Sequence, residues 1–311
     1  MNADPILSSS RAYEELVARV LARGKRRPNR TGIDTLGVFG EQLRYDLGQG
    51  FPLLTSKRVP FRLVAEELAW FLRGETFVAP LQAKDVHIWD AWATAEQCAR
   101  FERPAGELGP IYSHAWRNFG ATSRQDPEVR HPWVFNADGF DQIAWLEEAI
   151  YKVAANPAAP EARRLILTGW DPRNASEVAL PPCHTLAQFH VDEFQHLSCH
   201  LYQRSADLFL GVPFNLASYA LLTHLLAFNA YLGLGDLVVS YGDAHVYVNH
   251  LEALDQQLAR EPRPLPQLAI DYPVHAEGHP LEAIDLRALD VSKLRITGYD
   301  PHPALKGEVA V

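Results

Sequence analysis

The sequence predicts a single α+β domain, on three grounds. Segments with helical spacing of apolar residues are interspersed with segments that alternate. No linker divides the chain and no stretch repeats another. Of the 311 residues 47% are apolar, and aromatic residues are plentiful, enough for one substantial core.

The elements follow in order. Ser8, Ser9 and Ser10 are placed to cap a first helix, in which Tyr13, Leu16, Val17, Val20 and Leu21 recur at helical spacing until Gly24. Residues 25–30 are basic and broken by Pro28, and residues 33–46 alternate as strands. A second helix runs over residues 61–73 and stops at Gly74. Residues 94–110 and 118–140 carry glycine, proline and charge with little periodicity, and are expected to be surface excursions. Residues 141–155 are helical, and residues 165–170 read as a strand. Residues 185–192 and 196–203 form a hairpin, with Leu197, Cys199 and Leu201 on one face and Ser198, His200 and Tyr202 on the other. Residues 216–234 approach the roughly 20 needed to cross a bilayer. Ser218, Thr223, His224 and Asn229 interrupt them, so they read as a central helix buried all round. Residues 237–241 are a strand, residues 245–258 a helix, and strand-like pieces continue to Tyr299.

A net charge of −9 argues against a protein that coats nucleic acid. Three cysteines, an odd number, suggest free thiols in a reducing compartment. Met1-Asn2-Ala3-Asp4 is not a basic stretch leading into an apolar run, so no secretory leader is expected. Both features point to the cytoplasm.

Chemistry concentrates after residue 180. Pro181 and Pro182 restrict the backbone before Cys183. Cys183 is either a small buried hydrophobe or a nucleophile whose thiolate is favoured by positive charge, which Arg163, Arg164 and Arg204 supply if they converge. Cys98 and Cys199 read as structural. Cys183-His184 and Cys199-His200 repeat a pair, but strand neighbours point to opposite faces, so no metal site is expected. Glu67 lies within the apolar arc of Leu63, Val64, Leu68, Trp70 and Phe71, with Glu66 at its edge toward Arg73. Such a carboxylate has a raised pKa and exchanges protons near neutrality, or else pairs with a buried arginine. Arg30, Arg163, Arg164, Arg204 and Ser205 are candidate phosphate ligands. Asn215 either caps the apolar helix or reads a ring edge, donating to uracil O4 and accepting from N3–H. His245 and Tyr247 are within the class of residues that reach a sugar hydroxyl.

Taken together, several segments resemble the thymidylate synthase family, which methylates dUMP with a folate. They include Asn29-Arg30-Thr31-Gly32, Phe51-Pro52-Leu53-Leu54-Thr55-Ser56-Lys57-Arg58, Glu66-Glu67-Leu68-Ala69-Trp70-Phe71-Leu72, Ile88-Trp89-Asp90 and Leu108-Gly109-Pro110-Ile111-Tyr112. Further along come the Cys183 segment, Tyr202-Gln203-Arg204-Ser205, Pro213-Phe214-Asn215, Arg260-Glu261-Pro262-Arg263-Pro264-Leu265-Pro266, Gly298-Tyr299-Asp300-Pro301-His302-Pro303 and Val309-Ala310-Val311. The resemblance implies a large mixed sheet flanked by helices, and a homodimer joined sheet to sheet.

By resemblance, Cys183 is the nucleophile, Glu67 relays protons, and Tyr112 and His184 complete the surroundings of the thiol. Arg30, Arg204 and Ser205 would hold the phosphate, with Arg163 and Arg164 donated by the partner subunit. Asn215 would read the base, and His245 and Tyr247 the deoxyribose. Asp207 would hold the pterin and take part in catalysis, and Lys57 would lie toward the glutamate tail. Ile88, Trp89, Trp92, Leu210, Gly211 and Phe214 would wall the folate ring, and the tail with Ala310 would close over it. 5,10-Methylenetetrahydrofolate would be both carbon donor and reductant, so neither metal nor nicotinamide is implied. No membrane and no specific nucleic acid is implied as partner.

Ser113 and Ala115 replace the glycine and glutamine usual in the family, and Pro60 and His200 are also less usual. The first two raise a second reading, a dUMP hydroxymethylase in which water traps the one-carbon unit. A third reading is a paralogue that binds nucleotide or RNA without turnover.

Overall fold

The structure, a computed structural model, describes residues 10–121, 123–125, 133–135, 139–178, 180–276 and 280–309. Along the chain, α1 (Ala12–Arg23) is followed by β1 (Lys25–Arg27), β2 (Thr35–Asp46), α2 (Phe61–Arg73), α3 (Ala79–Gln82), α4 (Ala95–Ala99) and α5 (Tyr112–Arg117). Then come β3 (Ser123–Gln125), β4 (Trp133–Phe135), α6 (Gln142–Ala155), β5 (Ile166–Thr168), β6 (His184–Val191) and β7 (His196–Asp207). The chain continues with α7 (Gly211–Asn229), β8 (Gly233–Tyr247), α8 (Leu251–Leu258), β9 (Gln267–Ile270) and β10 (Leu294–Thr297).

Among the described residues, six strands join in the order β1-β2-β8-β7-β6-β5. Neighbours are antiparallel except β7 and β8, which run parallel with α7 as their crossover. The crossover explains the composition of α7. It lies on β7 and β8 and packs against α2 and α6, so apolar side chains are needed on all its sides. It is long and apolar enough to span a membrane, yet 78% of that stretch is buried inside the protein. The opposite face of the sheet leaves Leu186 and Tyr202 exposed.

Strand alternation holds along β6 and β7, where Ala187, Phe189, Leu197, Cys199 and Leu201 point into the core. One irregularity matters. The register with β7 shifts between His184 and Leu186, giving β6 an extra residue there. Strict alternation back from Ala187 would turn Thr185 inward; the bulge buries His184 instead.

Two sequence expectations are corrected. His245 and Tyr247 lie in β8, not in a helix: Thr35 pairs with Tyr247 and Asp207 with His245, so partners on both sides hold this segment extended. A 3-10 turn, Val248–His250, then leads into α8. Residues 94–110 are mixed: residues 94–96, 99, 100, 102, 104 and 105 are exposed, while Cys98, Arg103, Glu107 and Leu108 are buried. Finally, α1 has Arg11 at its N-cap with no side-chain cap bond; Ser8 and Ser9 fall outside the described residues. Of residues 118–140 the structure describes residues 118–121, the β3–β4 pair and residues 139 and 140.

The helices that carry Glu67 and Tyr112 are tied by one buried cation. Arg117, at the end of α5, donates from Nε to the Leu72 carbonyl of α2 at 2.6 Å, and from Nη1 to Asp141 at 3.1 Å. Asp141 in turn accepts from the Ala144 amide and so caps α6. Gly74 closes α2 at φ 81°, a left-handed turn in which a Cβ would meet the Arg117 Cβ at 3.1 Å. Replacing Arg117 by methionine strands the Leu72 carbonyl and removes a partner of Asp141. The expected loss is about 2–3 kcal/mol of unfolding free energy, read as a lower urea midpoint. A midpoint at the wild-type value would refute this role.

Candidate active site

Cys183 enters β6 from a corner held by two side chains. Its backbone N–H donates to the Tyr112 hydroxyl at 2.6 Å. Arg204, from β7, donates from Nε to the Pro182 carbonyl and from Nη2 to the Pro181 carbonyl, both at 2.8 Å. The same Nη2 lies 4.0 Å from Cys183 Sγ, and the guanidinium sits 5.1 Å from the Trp170 ring centroid. Burial pushes the Cys183 thiol up, while Arg204, the Tyr112 bond and Arg30 pull it back. The net direction is upward, which corrects the expectation of a thiolate favoured at rest.

Cys183 opens onto a cavity of about 730 Å³. Glu67, Tyr112, His184, Asp207, Arg30, Arg204, Ser205, Asn215, His245 and Tyr247 line it with Cys183, as do Ile88, Trp89, Trp92, Leu210, Gly211 and Phe214. Arg163 and Arg164 do not; they are exposed beside a separate shallow hollow formed by residues 157–164. Within one chain they therefore supply no charge to Cys183. Lys57 is also absent from the lining. It is buried, donates from Nζ to the Phe209 carbonyl at 2.5 Å, and lies 3.7 Å over the Phe209 ring. That burial lowers its pKa to about 8. An interior carbonyl has captured the side chain expected near a glutamate tail. Ala310 lies outside the described residues.

The floor of the cavity is a directed hydrogen-bond chain. Gln203 Nε2 donates to the Ser205 carbonyl at 3.0 Å and to Asn215 Oδ1 at 2.9 Å. That assignment leaves Asn215 Nδ2 facing His184 Nε2 at 3.2 Å, so this nitrogen accepts and Nδ1 carries the proton toward the Tyr219 oxygen at 3.3 Å. Burial holds His184 near a pKa of about 3, so its ring is neutral. The ring stacks on Tyr112 with centroids 3.9 Å apart. Asn215 is not a cap, because α7 begins at Gly211 with Leu210 as its N-cap. The amides of Phe209 and Leu210 are taken by Asp207 Oδ1, at 2.9 and 3.2 Å.

Glu67 receives a hydrogen bond from Trp89 Nε1 at 2.7 Å. Burial raises its pKa to about 7, and the Trp89 bond only partly opposes this. Glu66 pairs with Lys84 at 2.6 Å rather than with Arg73, whose partner is Glu75.

Sequence reasoning missed several lining groups. Gln203 is buried, and its Oε1 has no partner among the described residues. The alternation of β7 carries the signal, since Gln203 shares a face with Leu201 and Cys199. Arg27 and Asp243 form an ion pair at the cavity wall, and Gly307 and Val309 reach it from the C-terminal segment. Ser113 and Ala115 are buried and line no part of the cavity.

A neutral stacked imidazole, an oriented amide, a carboxyl near neutral pKa and two arginines around one thiol suit covalent chemistry on a flat anionic substrate. A family model described as Thymidylate synthase matches residues 11–311. With the match running over nearly its whole length, the chain belongs to the thymidylate synthase family.

Proposed function

We propose that the protein converts dUMP to dTMP, with 5,10-methylenetetrahydrofolate as co-substrate and dihydrofolate as the second product. The observation that carries this reading is the convergence of Cys183, Asn215 and Glu67 on one cavity. Cys183 adds its sulfur to C6 of uracil, the C5–C6 π electrons move toward C5 and O4, and C5 becomes nucleophilic. Arg204, 4.0 Å from the sulfur, favours the anionic thiol during attack. Glu67, with a pKa of about 7, is divided between its two forms near neutrality and can both give and take the protons that C5 and O4 exchange. Arg30, Arg204 and Ser205 take the phosphate, and His245 and Tyr247 the deoxyribose.

The cavity also fits a folate. Trp89, Trp92 and Phe214 offer flat apolar walls, and Trp92 Nε1 is buried without a partner among the described residues. Ile88, Leu210 and Gly211 complete that wall, and Asp207 holds the pterin. Bound there, methylenetetrahydrofolate supplies the one-carbon unit and the hydride. Arg163 and Arg164 are exposed and line no part of their own cavity, which supports their donation to a partner in a homodimer. The exposed Leu186 and Tyr202 on the outer sheet face support the same assembly.

The hydroxymethylase reading rested on Ser113 and Ala115, and neither touches the cavity. The product assay decides: dUMP and methylenetetrahydrofolate are expected to yield dTMP and dihydrofolate, whereas hydroxymethyl-dUMP with tetrahydrofolate would overturn the proposal. Cys183→Ser is expected to lower kcat by at least about a thousandfold; a fully active serine variant refutes the thiol step.

Asn215→Asp replaces the N–H that faces uracil O4 with an acceptor. The ratio of kcat/KM for dCMP over dUMP is expected to rise about a hundredfold. An unchanged ratio would count against the amide as the reader of the base.

Glu67 also predicts a pH signature. Its folded pKa, about 7, lies above the ordinary 4.5, so its protonated form stabilises the fold. That contribution is complete below about pH 4.5 and is lost as the pH rises through about 7. Trp89 fluorescence is expected to titrate near pH 7 and to lose that transition in Glu67→Gln. The variant should also shed less stability between about pH 5 and 8, by up to ~3 kcal/mol. Identical titrations in the two proteins would remove Glu67 as the titrating group.

A further inference from the structure

The C-terminal segment forms part of the cavity wall, since Gly307 and Val309 line it. Little apolar burial explains its position, because Glu308 and Val309 are exposed. Upstream it is anchored: the His302 amide donates to the Thr55 carbonyl at 2.8 Å, and Arg260 Nη1 to the Pro303 carbonyl at 2.7 Å. Beyond Pro303, one hydrogen bond reaches the segment among the described residues, from His250 Nε2 to the Glu308 carbonyl at 2.9 Å.

His250 is built for that contact. It is 1% exposed and ends the 3-10 turn that follows Tyr247. Its ring lies between Phe209, at 4.9 Å between centroids, and Tyr247, at 5.9 Å. A carbonyl accepts only from an N–H, so the proton sits on Nε2. Nδ1 is then the lone-pair nitrogen, buried with no partner among the described residues. The approach is so close that residue 307 must lack a side chain. A Cβ there would stand 2.7 Å from Phe209 Cε1 and 2.8 Å from His250 Nε2. Phe209 cannot yield easily, because Lys57 holds its carbonyl and covers its ring.

We propose that His250 is a positioning residue that holds residues 307–309 as a wall of the cavity, with Gly307 as the cleft that admits the contact. On the reading that this cavity accepts a folate beside the nucleotide, the wall acts on the folate, and the nucleotide contacts are made without it.

Carboxypeptidase release of Val311 and Ala310 from the unliganded full chain tests the contact without any substrate. His250→Ala is expected to speed release about threefold to tenfold, the worth of one hydrogen bond. His250→Gln, whose amide N–H reaches about as far as Nε2, is expected to restore release to within about twofold of wild type. His250→Asn reaches only to the position of Nδ1 and is expected to stay fast. Gly307→Ala leaves His250 in place and is expected to speed release as well, which covers the case of a His250 variant that fails to fold. In steady state, His250→Ala should raise KM for methylenetetrahydrofolate about threefold to tenfold, with KM for dUMP within twofold. Wild-type release from both His250→Ala and Gly307→Ala overturns the proposal, and so does a glutamine variant no better than asparagine. If the wild-type protein makes no dTMP, the functional reading fails while the digestion series still judges the contact.

Discussion

Two parallel strands cannot be joined by a tight turn; they require a crossover that returns the chain to its starting end. In this protein β7 and β8 are that pair and α7 is the crossover. The geometry of the candidate active site follows from it. The end of β7 delivers Gln203, Arg204, Ser205 and Asp207, the first turns of α7 deliver Gly211, Phe214 and Asn215, and the far end of β8 delivers His245 and Tyr247. All reach one cavity because pairing of Asp207 with His245 brings the two strand ends level. The turn that launches α7 is correspondingly well held. Tyr13 donates to the Leu208 carbonyl, Lys57 to the Phe209 carbonyl, and Asp207 accepts from Phe209 and Leu210.

Burial shifts the two proton-bearing groups of the proposed reaction in the same direction. The thiol of Cys183 and the carboxyl of Glu67 are both pushed up, since a charge left alone in a half-buried cavity would be costly. What separates them is the company each keeps. Arg204 and Arg30 act on the sulfur, whereas Glu67 has the Trp89 N–H. The arginines therefore offset part of the cost of ionising the sulfur, and Glu67 is the group that exchanges protons close to neutrality. Arg204 links both ends of this design, because the fork that approaches the sulfur also fixes the carbonyls of the two prolines before it.

Local signals were legible in the sequence and long-range ones were not. The periodicity of residues 61–73 and the glycine after them located α2 with its true ends, because amphipathicity and a left-handed stop are both properties of a few neighbouring residues. The hairpin of β6 and β7 was equally plain, and the grouping of Cys183, Arg204, Ser205 and Asn215 came from motifs close in sequence. The strand state of His245 and Tyr247 is conferred by β2 and β7, far away in the chain, and the helix-like spacing that follows them masked it. Lys57 was expected toward a glutamate tail, and its actual partner, the Phe209 carbonyl, lies far along the chain where no local signal announces it. The bulge that turns His184 inward is a matter of register, which composition does not encode.

The departures at Ser113 and Ala115 show how a motif can mislead about chemistry. Both sit on α5 directly after Tyr112, so proximity in sequence suggests that they shape the pocket. A helix turns about 100° per residue, and Tyr112 faces the cavity while the next residues turn into the protein. Ser113 is fully buried, and the Ala115 carbonyl accepts from Gln142 of α6. On the proposed chemistry, the choice between hydride and water as the trap depends on which groups admit water to the cavity. Those groups are the lining aromatics Trp89, Trp92 and Phe214 together with the segment that carries Gly307 and Val309. The aromatic residues are fixed by packing, whereas beyond Pro303 the segment has the packing of Leu305 against the core and, among the described residues, one hydrogen bond. Exclusion of water is thus concentrated at the junction of His250, Phe209 and Gly307, remote in sequence from the positions where the chain departs from its family.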